Sequence, residues 1–160
     1  LDLSVPAANS ALQRGRATLR EHLPEADPPG DDLSADEARL LEVFIDTHQR
    51  GDAAGAIAVM REDIRVTMPP NPFLFDGREQ VTELLLSAFE GENNVGDWRL
   101  VPTRANRMPT AASYLRRWGD TEFRAFKLDV IRVRDGGVAE ITTFGAELFP
   151  QFGLPEVLAP

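Results

Sequence analysis

The residue best placed to do chemistry is Asp129, inside the apolar run "FKLDVIRV". A carboxylate in such a run either finds a partner or has its ionisation disfavoured, which is the property a general base exploits. Lys127 lies two residues away, on the same face of a strand, so an ion pair is available. Two readings therefore stand: a structural ion pair, or a pocket acid–base group. His48 falls near the end of a helical pattern and reads as a partly buried helix residue rather than a catalyst. His22 is the only other histidine, and there is no cysteine, so no metal-ligand spacing, thiol nucleophile or disulfide is available. No Ser/His/Asp arrangement and no glycine-rich phosphate loop is present, and no cofactor is expected. Asp63 and Asp76 flank loops, and the "FDG" around Asp76 reads as the N-cap of the helix after it.

The elements that must hold these residues begin at Ser34. "LSADEARLLEVFIDTHQRGD" opens with a capping box, Ser34 and Glu37, and continues with Leu40, Leu41, Phe44, Ile45 and His48 at helical spacing until Gly51. "DAAGAIAVM" reads as a short second helix capped by Asp52. "IRVTMPP" reads as a strand, "NPFLFDG" as a loop, and "REQVTELLLSAFEG" as a third helix with Val81, Leu84, Leu85 and Phe89 on one face. The period then changes to two. Strands are expected over "DWRLVPTRAN", "TAASYLRRW", joined to it through "RMP", "TEFRAFKLDVIRVR" and "VAEITTFGAELF". Asp135-Gly136-Gly137 makes the last turn. The tail "PQFGLPEVLAP" shows little periodicity. Helices followed by antiparallel strands make an α+β domain.

The N-terminal stretch differs. Residues 1–24 read as a turn and a basic helix, with Ser4 as cap, Arg14, Arg16 and Arg20 projecting, and Pro24 as stop. "PEADPPGDDL" reads as a linker, because prolines, glycine and acids build neither helix nor sheet. Over all 160 residues the formal net charge is −9, which makes the bulk of the chain a poor direct ligand for nucleic acid or anionic lipid. Apolar residues reach 42%, enough for a core. No apolar run approaches the roughly 18–20 residues that span a bilayer, and no secretory signal is visible, so a cytoplasmic protein is expected. Leu1 is not a start methionine, so the chain reads as a fragment of something longer.

From Leu33 to about Phe152 the sequence resembles the nuclear transport factor 2-like fold and, within it, the SnoaL-like group. The resemblance rests on "HQRGDAAGAIAVM", "REDIRVTMPP", "FDGREQV" and "DVIRVRDGGVAEITTFGAELF". It implies a cone, in which a curved antiparallel sheet wraps three helices, often around a ligand or active site. The residues expected near such a pocket are Met68, Phe75, Trp98, Arg104, Asn106, Tyr114 and Asp129. For the aromatic and apolar members, plain core packing is the competing reading. Catalysis in SnoaL-like cyclases is attributed to a pocket acid–base residue, so a cyclase, isomerase or epoxide hydrolase using Asp129 is one functional reading.

Residues 1–24 resemble the end of region 4 in extracytoplasmic-function sigma factors, whose turn and second helix carry a related pattern. Here it reads Leu3, Ser4, Val5, Ala7, Asn9, Ser10, Leu12, Arg14 and Arg16, departing at Ala8 and Gly15. "GDWRLVPTRAN" and "EITTFGAELFPQFGLP" resemble the SnoaL-like C-terminal extension that some such factors carry, an actinobacterial-type arrangement. The resemblance implies that, in the parent protein, Asn9, Ser10, Gln13, Arg14 and Arg16 face promoter DNA in a helix-turn-helix. It implies three parts: residues 1–24 as the end of region 4, 25–33 as linker, and 34–160 as a SnoaL-like domain. Its partners would be the RNA polymerase core and the sigma regions of the same chain, with a small ligand in the cone as signal. The favoured reading is a regulatory domain that gates promoter binding. Pairing of two domains through the sheet, as a homodimer, is a third reading. The segment "LFPQFGLPEVL" reads equally as a partner contact or as packing across the cone mouth.

Overall fold

The structure, a computed structural model, describes residues 5–22, 32–91 and 93–158. The chain divides into two compact units, Leu1–Gly30 and Asp31–Pro160. The first holds helix α1, Val5–His22. Every described side chain from Ala7 to Thr18 is exposed, Leu12 included. The expected cap Ser4, the stop at Pro24 and residues 25–31 of the expected linker lie outside the described residues. Among the described residues, no helix is long and apolar enough to cross a membrane.

The second unit opens with α2, Ala35–Arg50. Its start is the capping box: the Glu37 N–H donates to Ser34 Oγ at 3.2 Å, and the Ser34 N–H donates to Glu37 Oε2 at 2.8 Å. Two donors that a helix start would leave unmatched are thereby satisfied. Ser34→Ala is expected to cost about 1 kcal/mol, read as a shift in the urea midpoint; an unchanged midpoint would show the box to be dispensable. Gly51 ends α2 at φ 64°, where its N–H reaches the carbonyls of Thr47 and His48. Asp52 caps α3, Ala53–Ala58, by accepting from the Gly55 N–H at 2.8 Å.

Strand β1 spans Met60–Thr67, starting earlier and ending sooner than the periodicity suggests. Residues 74–76, expected as loop, form β2 (Leu74–Asp76), antiparallel to the end of β1. Asp76 is consequently a strand residue paired with Arg65 at 3.4 Å, not the cap of the next helix. Helix α4, Arg78–Phe89, starts at Gly77 without a side-chain cap.

Strands β3 (Gly96–Ala105) and β4 (Met108–Arg117) form a hairpin. Its turn is Asn106–Arg107, both at positive φ, so Met108 and Pro109 already belong to the strand rather than to the connection. Strands β5 (Phe123–Arg134) and β6 (Gly137–Gly145) are joined at Asp135–Gly136, again both at positive φ. Strand β6 stops at Gly145, short of the expected Phe149. Ala146–Phe152 is a 3₁₀ segment, and the tail ends in β7, Val157–Leu158, which pairs with Phe123 and Arg124 at the start of β5.

The strand order is β2-β1-β6-β5-β4-β3, with β7 beside β5. The sheet is mixed, since β1 and β6 run parallel, whereas the sequence reading has all strands antiparallel. Both faces are covered. Leu40, Phe44, Ile64, Val81, Ala111 and Ile131 belong to the core under the helices. Ala112, Tyr114, Phe123, Leu128 and Phe149 form a second core. Neighbours such as Ala111 and Ala112 fall into different cores because strand side chains alternate. The C-terminal segment thus packs on the sheet face opposite the helices, not across a mouth.

Candidate functional site

The helix-side face of β5 and β6 meets α2 and α4 around a cavity of about 590 Å³. Leu84, Leu85, Ala88 and Phe89 of α4 form one wall, and Met68, Trp98, Phe126 and Phe144 face them. His48, Lys127 and Thr143 supply polar atoms at one end, and Asn71, Asn93 and Glu147 are polar members of the rest of the lining. A smaller void of about 40 Å³ continues from the same His48, Lys127 and Thr143 to Asp129.

Strand register builds the polar end. Thr143 lies directly opposite Asp129 on β6, and Ser113 lies opposite Lys127 on β4. Asp129 is fully buried and its carboxylate is heavily engaged. Lys127 Nζ lies 2.8 Å from Oδ2, Ser113 Oγ donates to Oδ2 at 3.3 Å, and Thr143 Oγ1 donates to Oδ1 at 2.7 Å. Of the two readings of Asp129, the ion pair is thus present, and it sits at the closed end of the cavity.

His48 closes this group from the last turn of α2. Its ring stacks on Phe44 with centroids 3.8 Å apart and meets Phe89 edge-on at 5.2 Å. Nδ1 lies 2.8 Å from the Phe44 carbonyl oxygen. That oxygen can only accept, so Nδ1 carries the proton and Nε2 is a bare acceptor. Burial, helped by the Lys127 charge, holds the imidazole down at about 3, against the opposing pull of Asp129 and the Phe44 carbonyl. His48 therefore stays neutral at physiological pH. Because its folded value lies below the unfolded one near 6.5, acid protonates the unfolded chain first. The stabilisation is complete above the unfolded value and is lost as pH falls toward the folded one. At pH 5 the loss should reach about 2 kcal/mol. Urea titrations at pH 7 and 5 should show this loss in the natural protein and not in His48→Phe; equal losses in both would count against it.

Of the residues expected in the pocket, Met68, Trp98 and Asp129 come together. Phe75 packs against the helix-side core and does not line the cavity. Arg104 lines a separate depression with Leu33, Leu41, Pro102, Thr103 and Phe152. Asn106 is an exposed turn residue. Tyr114 is in the opposite core, its ring edge-on to Phe149 at 5.2 Å and its hydroxyl donating to the Pro155 carbonyl at 3.0 Å. For Arg104 and Tyr114 the reason is that a strand's period assigns alternate faces but does not say which face is hollow, whereas Asn106 lies beyond the end of β3 in the hairpin turn. Phe126 is a wall residue the periodicity hides. The β4–β5 register shifts between Ser113 and Tyr114, which face Lys127 and Ala125, so Phe126 has no partner on β4. That bulge puts neighbours Phe126 and Lys127 on the same cavity. Thr143 has a legible signal, being one alternation beyond Ile141. Among the described residues no cluster of three or more His, Asp or Glu is arranged to hold a metal ion.

A mixed sheet around helices with a pocket at their interface is the nuclear transport factor 2-like fold, and solved structures share it. An NTF-2 like protein of unknown function from Burkholderia xenovorans matches with a TM-score of 0.56 at 14% identity, covering 69% of this chain and 82% of that one. An LEH-like epoxide hydrolase of Mycobacterium tuberculosis matches with a TM-score of 0.55 at 16% identity, covering 70% and 84%. No family model matches the chain. Among curated proteins the chain is similar to the ECF RNA polymerase sigma factor SigG of Mycobacterium tuberculosis, in two strains. It is 31% identical over 160 residues, covering 97% of this chain and 42% of that protein. The chain thus spans less than half the length of the relatives it matches.

Proposed function

We propose that this chain is the C-terminal part of an extracytoplasmic-function sigma factor, in which the cone domain regulates promoter binding and transcription initiation. One observation carries the reading: the similarity to SigG runs over 97% of the chain, across both α1 and the cone domain, and is not confined to one of them. In this reading residues 1–24 end region 4, 25–33 link, and 34–160 are the regulatory domain. Asn9, Ser10, Gln13, Arg14 and Arg16 face promoter DNA in the parent protein, and their exposure on α1 suits that role. The partners are the polymerase core and the sigma regions of the same chain, in the cytoplasm. The acidic charge of −9 favours docking on basic surfaces. A small ligand in the cavity is the signal. The test removes residues 34–160 from the whole protein and measures transcription from its target promoter. A change in transcript level is expected; an unchanged level overturns the regulatory reading.

A further inference from the structure

The cavity's polar end has two hydrogen-bonding capacities that the protein leaves unused. His48 is only 5% exposed, and with Nδ1 committed to Phe44 its Nε2 has no partner among the described residues. Nε2 is not among the fully buried polar side-chain atoms left without a partner, so it is open to the cavity, where a ligand can donate to it. Lys127 has three N–H donors and its ion pair with Asp129 occupies one direction. Both groups line the main cavity and its narrow end. We propose that the cavity takes an uncharged, largely apolar molecule bearing one hydroxyl, which donates to His48 Nε2 and accepts from Lys127 Nζ. This rests on the reading of the cavity as a ligand sensor and names the ligand's chemistry.

Charge balance at the polar end disfavours a charged ligand head group there. Lys127 and Asp129 already neutralise each other, and His48 is neutral. A carboxylate ligand would bring a buried negative charge with no partner left for it, and an ammonium would face Lys127. A ketone can accept from Lys127 but leaves Nε2 unmatched. A hydroxyl can answer both groups with one oxygen, donating to Nε2 and accepting from Nζ. Most of the remaining wall is apolar, with Met68, Leu84, Ala88, Trp98 and Phe126 among its members, and Asn71, Asn93 and Glu147 are its other polar residues. The volume of about 590 Å³ lies within the range of small-molecule sites. Asp129 acts here as a positioning residue that fixes Lys127.

Trp98 lines the cavity and reports occupancy, with Trp118→Phe removing the other tryptophan. The whole 160-residue chain is titrated with 1-decanol, its methyl ether, 2-decanone, decanoate and decylammonium, and with the same head groups on a decahydronaphthalene frame. The alcohol should bind about tenfold more tightly than its methyl ether, which cannot donate, the equivalent of one hydrogen bond. The charged members should bind more weakly still. His48→Phe should erase the alcohol's advantage over the ether and leave the ketone's affinity unchanged. The ether comparison needs no variant at His48 and stands even if His48→Phe fails to fold. Equal affinity for alcohol and ether, tighter binding of a charged member, or no quenching by either series overturns the proposal. Binding without any effect of the domain deletion on transcription would overturn the regulatory reading instead and leave the ligand chemistry standing.

Discussion

Asp129→Leu is expected to lower the unfolding free energy by at least about 3 kcal/mol, the lower end of the cost of breaking a buried ion pair. The lower end applies because Lys127 retains 24% side-chain exposure while Asp129 has none. The mechanism is what the substitution leaves behind. Lys127 keeps a charge with no counterion, and the Ser113 and Thr143 hydroxyls lose their acceptor. Lys127→Met combined with Asp129→Leu should recover most of the loss, because an apolar pair removes the stranded charge. Urea unfolding followed by tryptophan fluorescence measures all three proteins. If the double variant is no better than Asp129→Leu, the damage comes from shape and the ion-pair account is wrong. A small effect of Asp129→Leu alone would show that Lys127 escapes to water through the cavity.

Phe149→Ala is expected to cost about 3–5 kcal/mol, as for other fully buried aromatic truncations. Phe149 has no exposed surface and sits edge-on against Tyr114. It belongs to a segment whose sequence, "LFPQFGLPEVL", carries almost no periodicity. Its weight comes from what it covers: Ala112, Tyr114, Phe123 and Leu128 form a core only because this segment lies over them. Ending the chain at Gly145 should therefore unfold the domain or convert it to an aggregating species. A stability loss below about 1 kcal/mol in Phe149→Ala would mean that the second core contributes little, contrary to its burial. With Phe149 inside, the segment's buried side is not available as a partner contact.

The parts legible in the sequence are those set by neighbours a few residues apart. Ser34 and Glu37 form a box because helix geometry brings position three back to the cap. Asp135–Gly136 turns the chain because those residues accept positive φ. Strand β2 was hidden because three residues are too short to show a period, and they are strand only by pairing with β1. The same pairing draws Asp76 to Arg65 and leaves α4 to start at a glycine. The two residues of β7 are strand solely because β5 offers them an edge.

The candidate site divides in the same way. The spacing of Lys127 and Asp129 by itself determined that they share a face and can pair, since a strand repeats every two residues. The helical period likewise placed His48 one turn beyond Phe44. Only the tertiary structure decided that His48, Ser113, Lys127, Asp129 and Thr143 converge, because they come from α2, β4, β5 and β6 and meet through sheet register. It also decided which face is hollow, sending Tyr114 to a second core and, through one bulge, Phe126 to the cavity wall. Periodicity is a property of the local backbone; which face is filled depends on volumes contributed by segments far apart in the chain.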